Sequence, residues 1–419
     1  MDAREQRGLE IAAVTKIKKD KAIWLVPSQA GNGAYQVSMD TSTPQCTCPD
    51  FGIRGLKCKH IYAVEFTIRR ETKADGTTAV TKTMRVTYKQ DWPAYNAAQT
   101  HEQERFGELL HGLCEGIEQP PHTGRGRPSH PVSDVVFAAT CKVYSTVSGR
   151  RAMTDLREWQ AKGYLGKAPS YNSLFDYLDN PVLTPLLKSL VEESAKPLKA
   201  IETDFAVDSS GFSTTTYDRW FDHKWGRIRS EAKWVKAHLM CGVTTNIVTS
   251  VEVAPTETAD APQFPRLVQT TAKAFPIREV SGDKAYSSKR NLRVVQAAGG
   301  TAYIPFKSYS TGSQGNHGYD GLWHYMWAYY QYNRQTFLAH YHKRSNVEST
   351  YSMIKAKFGG AVRSKGPVAQ VNEVLLKILC HNICVLVSSI YELGLEPVFW
   401  QGQDDKNRGN IRAEMALAR

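Results

Sequence analysis

The sequence predicts an α/β protein in which a mixed five-stranded sheet with helices follows a helical region and a small ββα module. Three observations support this prediction. Apolar runs typical of strands alternate with helical segments after residue 200, whereas residues 132–200 are rich in helix-forming stretches. Near the amino terminus, two short β-prone segments precede a cluster of three cysteines and one histidine.

Composition narrows the classes of protein that the chain can belong to. At 419 residues it is too long for one average domain, and two or three are expected. The formal net charge of +12 and the pI near 9.2 favour a polyanionic partner. The chain has no run of 18 apolar residues, so we expect no membrane span, and residues 1–14 lack the apolar stretch of a secretory signal.

The cysteine and histidine cluster predicts a structural zinc ion. Residues 23–28 and 35–39 read as strands joined by a Gly/Asn turn, and Cys46, Cys48, Cys58 and His60 follow them. Two thiolates one residue apart, with a cysteine and a histidine that open a helix, can close a tetrahedral site with no position left for water. The alternative is a chance grouping near a turn. The other five cysteines are scattered among apolar neighbours, which indicates reduced core thiols.

Between the module and the helical region we predict a hairpin, a helix and a linker. The hairpin turns at Asp75–Gly76, and the helix covers approximately residues 93–117. Proline, glycine and arginine are concentrated in residues 119–131, which read as a linker. Its string Gly124–Pro128 either enters a narrow minor groove or is a plain basic linker.

Residues 132–200 are predicted to form several short helices. Ser133 and Ser170 are plausible N-cap residues. With Arg150 and Arg151, these helices form either a DNA reader of the helix-turn-helix kind or a helical cap packed on the next domain.

From residue 201 the order of elements is typical of an RNase H-like fold. Three strands are followed by a helix, a fourth strand, a second helix and a fifth strand. These elements are predicted at residues 201–210, 234–243, 246–254, 260–273 (capped by Asp260), 277–286, 288–299 and 301–306. In such a sheet the first strand is central and the fourth pairs beside it.

Two aspartates are expected to meet at this sheet. Asp208 is predicted at the end of the first strand and Asp283 at the end of the fourth. Asp204 is an alternative for the first carboxylate, because it shares a strand face with Asp208.

A helix after the fifth strand contributes a third carboxylate. Glu348 and Lys355 are seven residues apart and lie on one helix face. Arg344 and Tyr341 share that face if the helix extends back to them. An ordinary amphipathic helix is one alternative, and a capping box formed by Ser345 and Glu348 is another.

These residues carry two resemblances. The string Tyr341-x2-Arg344-x3-Glu348-x6-Lys355, with the two aspartates, resembles the DDE transposases of bacterial insertion sequences that bear the YREK signature. The amino-terminal cluster resembles the SWIM zinc finger, whose members bind DNA or other proteins.

The first resemblance implies a two-metal DNA transposase. Two Mg2+ or Mn2+ ions would be held by the three carboxylates, Asp208, Asp283 and Glu348. The phosphates of DNA would be contacted by Tyr341, Arg344 and Lys355. Double-stranded DNA at element ends and target, a homodimer on that DNA and a prokaryotic, nucleoid-associated cytoplasmic location follow as expectations. A non-catalytic DNA-binding or regulatory protein and a metal-dependent nuclease without strand transfer remain alternatives.

The predicted domain organisation is the zinc-finger module with its hairpin, a helix and linker, a helical region, the RNase H-like domain and a tail. Their boundaries are 1–90, 91–131, 132–200, 201–395 and 396–419. Between Asp283 and Glu348 lies the aromatic segment 318–337, in which Trp323 or Trp327 either stacks on an extruded base or packs in the protein.

Overall fold

The computed structural model of the chain divides into two compact units, Met1–Lys89 and Gln90–Arg419. It describes residues 3–15, 17–20, 23–28, 33–39, 43–71, 91–119, 129–214, 234–255, 258–312 and 321–400. The hairpin predicted at Asp75–Gly76, the string Gly124–Pro128 and the end of the carboxyl-terminal tail lie outside these residues.

The first unit is a four-stranded antiparallel sheet with three helices. Its elements are α1 (Ala3–Val14), β1 (Lys18–Asp20), β2 (Ile23–Pro27), β3 (Ala34–Ser38), β4 (Gln45–Cys46), α2 (Pro49–Arg54) and α3 (Lys59–Glu71), with strand order β1-β2-β3-β4. Trp24 and Val26 alternate inward along β2, and Trp24 pairs with Val37 of β3. The two predicted strands are β2 and β3, whereas the sequence prediction missed α1, β1 and β4.

Glycine allows α1 to lie against α3. A Cβ atom at Gly8 would come within 2.5 Å of the Cβ of Tyr62, so the helices approach closely only without a side chain at this position. Ile11 of α1 and Ile61 of α3 are both buried in the core of this unit.

The second unit begins with six helices. They are α4 (Trp92–Thr100), α5 (Glu102–Glu115), α6 (Val132–Tyr144), α7 (Gly149–Ala161), α8 (Tyr171–Leu178) and α9 (Leu183–Ala195). The prediction of one helix over 93–117 was wrong, because the chain leaves helical geometry at His101, with φ −106° and ψ 7°. There the ring nitrogen of His101 and the hydroxyl of Thr100 both bond to the carbonyl of Ala97, which competes with the backbone ladder.

The two predicted caps had different outcomes. Ser170 is the N-cap of α8 and accepts the N–H of Ser173 at 3.1 Å. Ser133 is not a cap, because α6 begins one residue earlier and has Pro131 at its N-cap position.

The predicted five-stranded mixed sheet is confirmed. Its strands are β5 (Asp204–Ser213), β6 (Trp234–Gly242), β7 (Val248–Pro255), β8 (Glu279–Gly282) and β9 (Thr301–Tyr303), in the order β7-β6-β5-β8-β9. β5 is central, antiparallel to β6 and parallel to β8, as the sequence predicted.

Helices cover both faces of the sheet. They are α10 (Phe264–Ala272), α11 (Lys289–Ala297), α12 (Gly321–Tyr332), α13 (Arg334–Tyr341), α14 (Ser345–Phe358) and α15 (Pro367–Leu393). Successive residues of β5 alternate between two cores: Phe205 and Val207 belong to the core with α10 and α11, and Ala206 belongs to the core with α14 and α15.

The helices α6 to α9 share this second core with the sheet. Val136, Leu156 and Leu190 are buried together with Ala206 of β5 and Leu376 of α15. This packing corresponds to the helical-cap alternative for residues 132–200.

Helix α15 is the central core helix of the second unit. Its 27 residues are long and apolar enough to cross a membrane by length and composition, but 78% of its most apolar window is buried inside the protein. That burial is typical of a core helix.

Asp260 does not cap α10 as predicted. The N-cap of α10 is Gln263, and its side chain makes no capping hydrogen bond. Asp260 instead accepts a hydrogen bond from the Ser209 hydroxyl at 3.1 Å and forms an ion pair with Lys236 at 2.5 Å.

Candidate functional site

The strand register brings Asp208 and Asp283 to the same place on the sheet. β5 and β8 pair in parallel from Asp204 opposite Glu279 to Val207 opposite Gly282. Asp208 and Asp283 are the next residue of each chain segment. The prediction that Asp208 ends its strand was wrong, since β5 continues to Ser213 as the partner of β6. What ends at Asp208 is the parallel pairing.

Asp283 is held in place by a helical turn. It is the N-cap of a 3-10 turn over Lys284–Tyr286, and its Oδ1 accepts the N–H of Ala285 at 2.7 Å. Among the described residues, Oδ2 has no hydrogen-bond donor, so this oxygen can serve a ligand.

Arg344 connects the first carboxylate with the third. Its Nη1 donates to Asp208 Oδ2 at 2.8 Å, and its Nη2 donates to Glu348 Oε1 at 2.5 Å. It lies in a 3-10 turn between α13 and α14, which continues the helical path almost without a break. The capping-box alternative was wrong, because the hydroxyl of Ser345 donates to the carbonyl of His342 and leaves Glu348 to pair with Arg344.

The carboxylates carry negative charge that Arg344 only partly balances. Burial raises the pKa of Asp208, and the nearby charges of Asp283 and Glu348 raise it further. The N–H of Ser209 and the guanidinium of Arg344 oppose this shift without cancelling it. A divalent cation would complete the balance, and carboxylate oxygens are the donors that Mg2+ prefers. The chemistry of these donors therefore suits Mg2+, although among the described residues only the cysteines and histidine of the first unit already form a close group of ligand atoms.

Lys355 and Tyr341 flank this cluster. The Nζ of Lys355 donates to the hydroxyl of Ser210 at 2.6 Å, two residues beyond Asp208, and burial lowers the pKa of its ammonium. Tyr341 is the last residue of α13, and its ring lies 5.8 Å from the guanidinium carbon of Arg344. All six residues predicted for the site thus belong to β5, the end of β8 and the segment from α13 to α14.

The first unit holds the second candidate metal centre. The ligand atoms of Cys46, Cys48, Cys58 and His60 all lie within 4.8 Å of one another, and all four residues are buried. The Nδ1 of His60 is 3.8 Å from the sulfur of Cys46 and 3.9 Å from that of Cys58. Zinc bonds of about 2.3 Å to sulfur and about 2.0 Å to nitrogen span such separations.

The chemistry of the four donors also fits zinc. The hydrogen bond with Cys46, helped by His60, lowers the pKa of the Cys58 thiol to about 3 although burial opposes it. One thiolate is thus favoured before any metal binds. The cluster is built locally: Cys46 ends β4, Cys48 is the N-cap of α2, and His60 lies in the first turn of α3.

Comparisons with known proteins match one family to each of the two regions that contain these residues. The family described as "Transposase DDE domain" matches residues 199–383, which include Asp208, Asp283 and Glu348. The family described as "SWIM zinc finger" matches residues 35–68, which include the four zinc-site residues. The chain carries a transposase DDE domain and a SWIM zinc finger.

The chain also has a distant likeness to one solved structure. The cryo-EM structure of the piggyBac transposase synaptic complex with hairpin DNA is 12% identical, with a TM-score of 0.33 over 75% of this chain and 77% of that chain. A likeness this low supports no argument. None of the curated proteins matches the chain.

Within the DDE domain, Asp204 has partners of its own. Arg278 donates to both of its oxygens at 2.7 Å, and the Nζ of Lys343 donates to Oδ2 at 2.7 Å. Burial acts to raise the pKa of Asp204, but these hydrogen bonds outweigh it and the pKa lies below its ordinary value. Because two cations already neutralise it, Asp204 is less suited than Asp208 to hold a metal ion.

The two tryptophans of the aromatic segment are anchored to the backbone. The Nε1 of Trp323 donates to the carbonyl of Thr311 at 3.0 Å, and that of Trp327 donates to the carbonyl of Ser310 at 3.1 Å. Trp323 also packs edge-on against Phe306. These contacts favour the packing alternative over stacking on a base.

Sequence reasoning missed the ion cluster that fixes the helix of Glu348. Lys343 also donates to Glu279 Oε2 at 2.7 Å, and the Nδ1 of His340 lies 2.9 Å from the same oxygen. The one available signal was the adjacency of Lys343 to Arg344, which by itself assigns Lys343 no partner.

Proposed function

We propose that this chain is a DNA transposase that cleaves DNA at the ends of a mobile element and joins the freed ends to target DNA. The observation that supports this most is the convergence of Asp208, Asp283 and Glu348 from three separate elements of the DDE domain. A purely structural ion network would not require three carboxylates with a single arginine between them.

The metal chemistry follows from the donor set. Asp208, Asp283 and Glu348 would hold two Mg2+ or Mn2+ ions, which supply an activated nucleophile and stabilisation of the leaving oxygen during in-line displacement. Water is the first nucleophile and frees a 3′-hydroxyl at the element end, and that hydroxyl then attacks the target strand. The SWIM zinc finger would hold one structural Zn2+.

Arg344 has the central role among the positively charged residues. Its two terminal nitrogens bind Asp208 and Glu348, both of which are proposed metal ligands. The planar guanidinium would also be able to bind a DNA phosphate with two parallel hydrogen bonds. Lys355 and Tyr341 would add a point charge and a hydroxyl beside it.

Double-stranded DNA is the proposed partner, and a homodimer is the proposed assembly. The net charge of +12 suits a polyanion. Two element ends have to be cut and joined together, which one copy of this site cannot do at once.

A cleavage assay tests this proposal. The full chain is incubated with Mg2+ and with DNA fragments that flank its gene, and products with free 3′-ends are separated on denaturing gels. Glu348→Gln should reduce cleavage by more than about a hundredfold, the upper range for residues that merely support a metal ligand. The matched control is Glu115→Gln, because Glu115 is exposed at the end of α5.

Three results would contradict the proposal. Equal cleavage by wild type and Glu348→Gln would remove Glu348 from the site. Cleavage without joining to a target plasmid would indicate a nuclease, and DNA binding without cleavage would indicate a regulatory protein.

A further inference from the structure

A cavity lies among the helices α6 to α8, apart from the carboxylates of the DDE domain. Its volume is about 540 Å3, within the range of small-molecule sites. It is bounded by the end of α6, the start of α7, the end of α8 and the segment that leads into α15. The lining residues are Lys142, Val147, Ser148, Gly149, Phe175, Asp176, Leu178, Asp179, Arg363, Ser364, Lys365, Gly366 and Ala369.

Lys142 lines this cavity with an unbalanced charge. It is only 5% exposed, and in the described part of the chain its ammonium makes no hydrogen bond and no ion pair. Burial lowers the pKa of its ammonium, and the charge of Glu373 opposes this shift. Because its Nζ is not among the fully buried atoms that lack a partner, the ammonium is accessible from the cavity, where it can bind an anion.

The neighbouring buried charges do not supply that anion. The carboxylate of Glu373 accepts the N–H groups of Arg363 and Ser364 and the hydroxyl of Ser364. Lys377 donates to two backbone carbonyls, at 2.9 and 2.7 Å. One carboxylate thus faces two ammonium groups, so the cluster of Lys142, Glu373 and Lys377 keeps one positive charge in excess.

Further positive potential surrounds the cavity. Ser148 and Gly149 open α7, a 13-residue helix whose positive dipole end therefore points to this region. Arg363 and Lys365 are exposed at the rim. The lining also includes two exposed acids, Asp176 and Asp179, and Asp179 accepts the N–H of Ala369 at 3.2 Å.

Part of the cavity wall is apolar. The ring of Phe175 is 44% exposed and lies over the backbone of Gly149, where a Cβ atom would come within 2.5 Å of its Cζ. Glycine is needed here for the ring to approach. Val147, Leu178 and Ala369 extend the apolar surface. An exposed aromatic face beside cations is a surface on which nucleobases stack.

We propose that this cavity binds a mononucleotide, with its phosphate toward Lys142 and the first turn of α7 and its base on the ring of Phe175. Free nucleotide and an unpaired nucleotide of a DNA strand share this chemistry. The proposal does not depend on transposase activity, and the experiment measures binding alone.

Calorimetric titration of the full, zinc-loaded chain with dAMP tests it. Lys142→Met should weaken dAMP binding at least about tenfold, because a charge-assisted hydrogen bond is lost. Phe175→Ala should weaken dAMP without changing the response to inorganic phosphate. Lys273→Met, which removes an exposed lysine outside the cavity, is the control and should leave binding unchanged.

Stability separates loss of binding from loss of fold. Lys142→Met removes a cation that stabilises the ionised Glu373, so its melting temperature should fall, whereas its far-ultraviolet circular dichroism at the titration temperature should equal that of the wild type. The proposal would be overturned if dAMP failed to bind or if phosphate bound as tightly as dAMP. It would also be overturned if Lys142→Met bound dAMP as tightly as the wild type does.

A competition arm identifies the source of the nucleotide. If a 5′-phosphorylated single-stranded oligonucleotide displaces labelled dAMP at a lower concentration than unlabelled dAMP does, the DNA strand is the ligand. If it requires a higher concentration, the free nucleotide is. Glu348→Gln should bind dAMP as the wild type does, so this result is independent of cleavage.

Discussion

At the scale of single residues, Arg344 determines what the carboxylate cluster can do without metal. It binds Asp208 and Glu348 together, and thereby holds two like charges near each other that would otherwise repel. A cation in this place keeps two of the proposed metal ligands close to each other. The pKa of Asp208 nevertheless stays raised, because burial and the charges of the other two carboxylates outweigh the effect of Arg344.

The raised pKa of Asp208 predicts how an amide at this position changes stability. Its folded-state pKa exceeds the unfolded one, so its ionised form destabilises the fold at neutral pH, and the wild type gains stability as pH falls through that pKa. Asp208→Asn should therefore raise the melting temperature without metal at pH 7 and reduce its rise on addition of Mg2+. Calorimetry with and without Mg2+ measures both effects.

Asp155→Asn is the matched control, because Asp155 is a half-buried aspartate of α7 away from the cluster. It should respond to Mg2+ as the wild type does. If Asp208→Asn retains the full Mg2+ effect, Asp208 does not hold the metal.

At the scale of elements, sequence patterns predicted the order of the strands better than the residues at which the strands end. Strand order followed from apolar runs, and the meeting of Asp208 and Asp283 followed from parallel pairing of β5 with β8. The extension of β5 to Ser213 was missed, because it depends on pairing with β6 that polar residues such as Ser210 do not signal. The zinc ligands were predictable because they lie within fifteen residues of each other.

Contacts between distant elements could not be predicted in the same way. The bond from Arg344 to Asp208 spans 136 residues and depends on how α14 crosses the sheet. Lys142 gave no signal at all, since a lysine in an apolar helix reads as a surface residue until tertiary packing buries it.

The turn between α13 and α14 predicts a positioning role for Lys343. It ties the turn to β5 through Asp204 and to β8 through Glu279, both at 2.7 Å. Lys343→Met should lower stability by about 2 kcal/mol, the size of a lost charged hydrogen bond. It should also raise the Mg2+ concentration needed for half-maximal cleavage, because Arg344 is the next residue and Glu348 lies in the first turn of α14.

Lys343→Arg should restore most of the Mg2+ response, since it can reach the same two carboxylates. Lys289→Met, on α11, is the control and should leave the response unchanged. An unchanged Mg2+ requirement in Lys343→Met would leave Lys343 with a stabilising role only.

At the scale of the whole molecule, the chain separates two kinds of metal chemistry. The SWIM zinc finger offers three sulfurs and one nitrogen, which suit a structural zinc ion, whereas the DDE domain offers only carboxylate oxygens, which suit Mg2+. Soft sulfur donors prefer zinc and hard oxygen donors prefer magnesium, so we expect removal of zinc and removal of magnesium to have different effects.

Zinc removal should unfold the first unit selectively. All four ligands lie between Cys46 and His60, and the small core of this unit includes the cysteines themselves. Because binding energy of a structural zinc is folding energy, a zinc-selective chelator should abolish hydrogen-exchange protection in β2, β3 and α3. Amides of β5 and α15 should keep theirs, since all four proposed zinc ligands lie in the first unit. Cys58→Ser should reproduce this pattern without chelator, and Cys384→Ser, which removes a thiol of α15, should not.

Equal loss of protection in β3 and β5 would show that zinc supports the whole chain, and undiminished protection in β3 would show that the first unit folds without it.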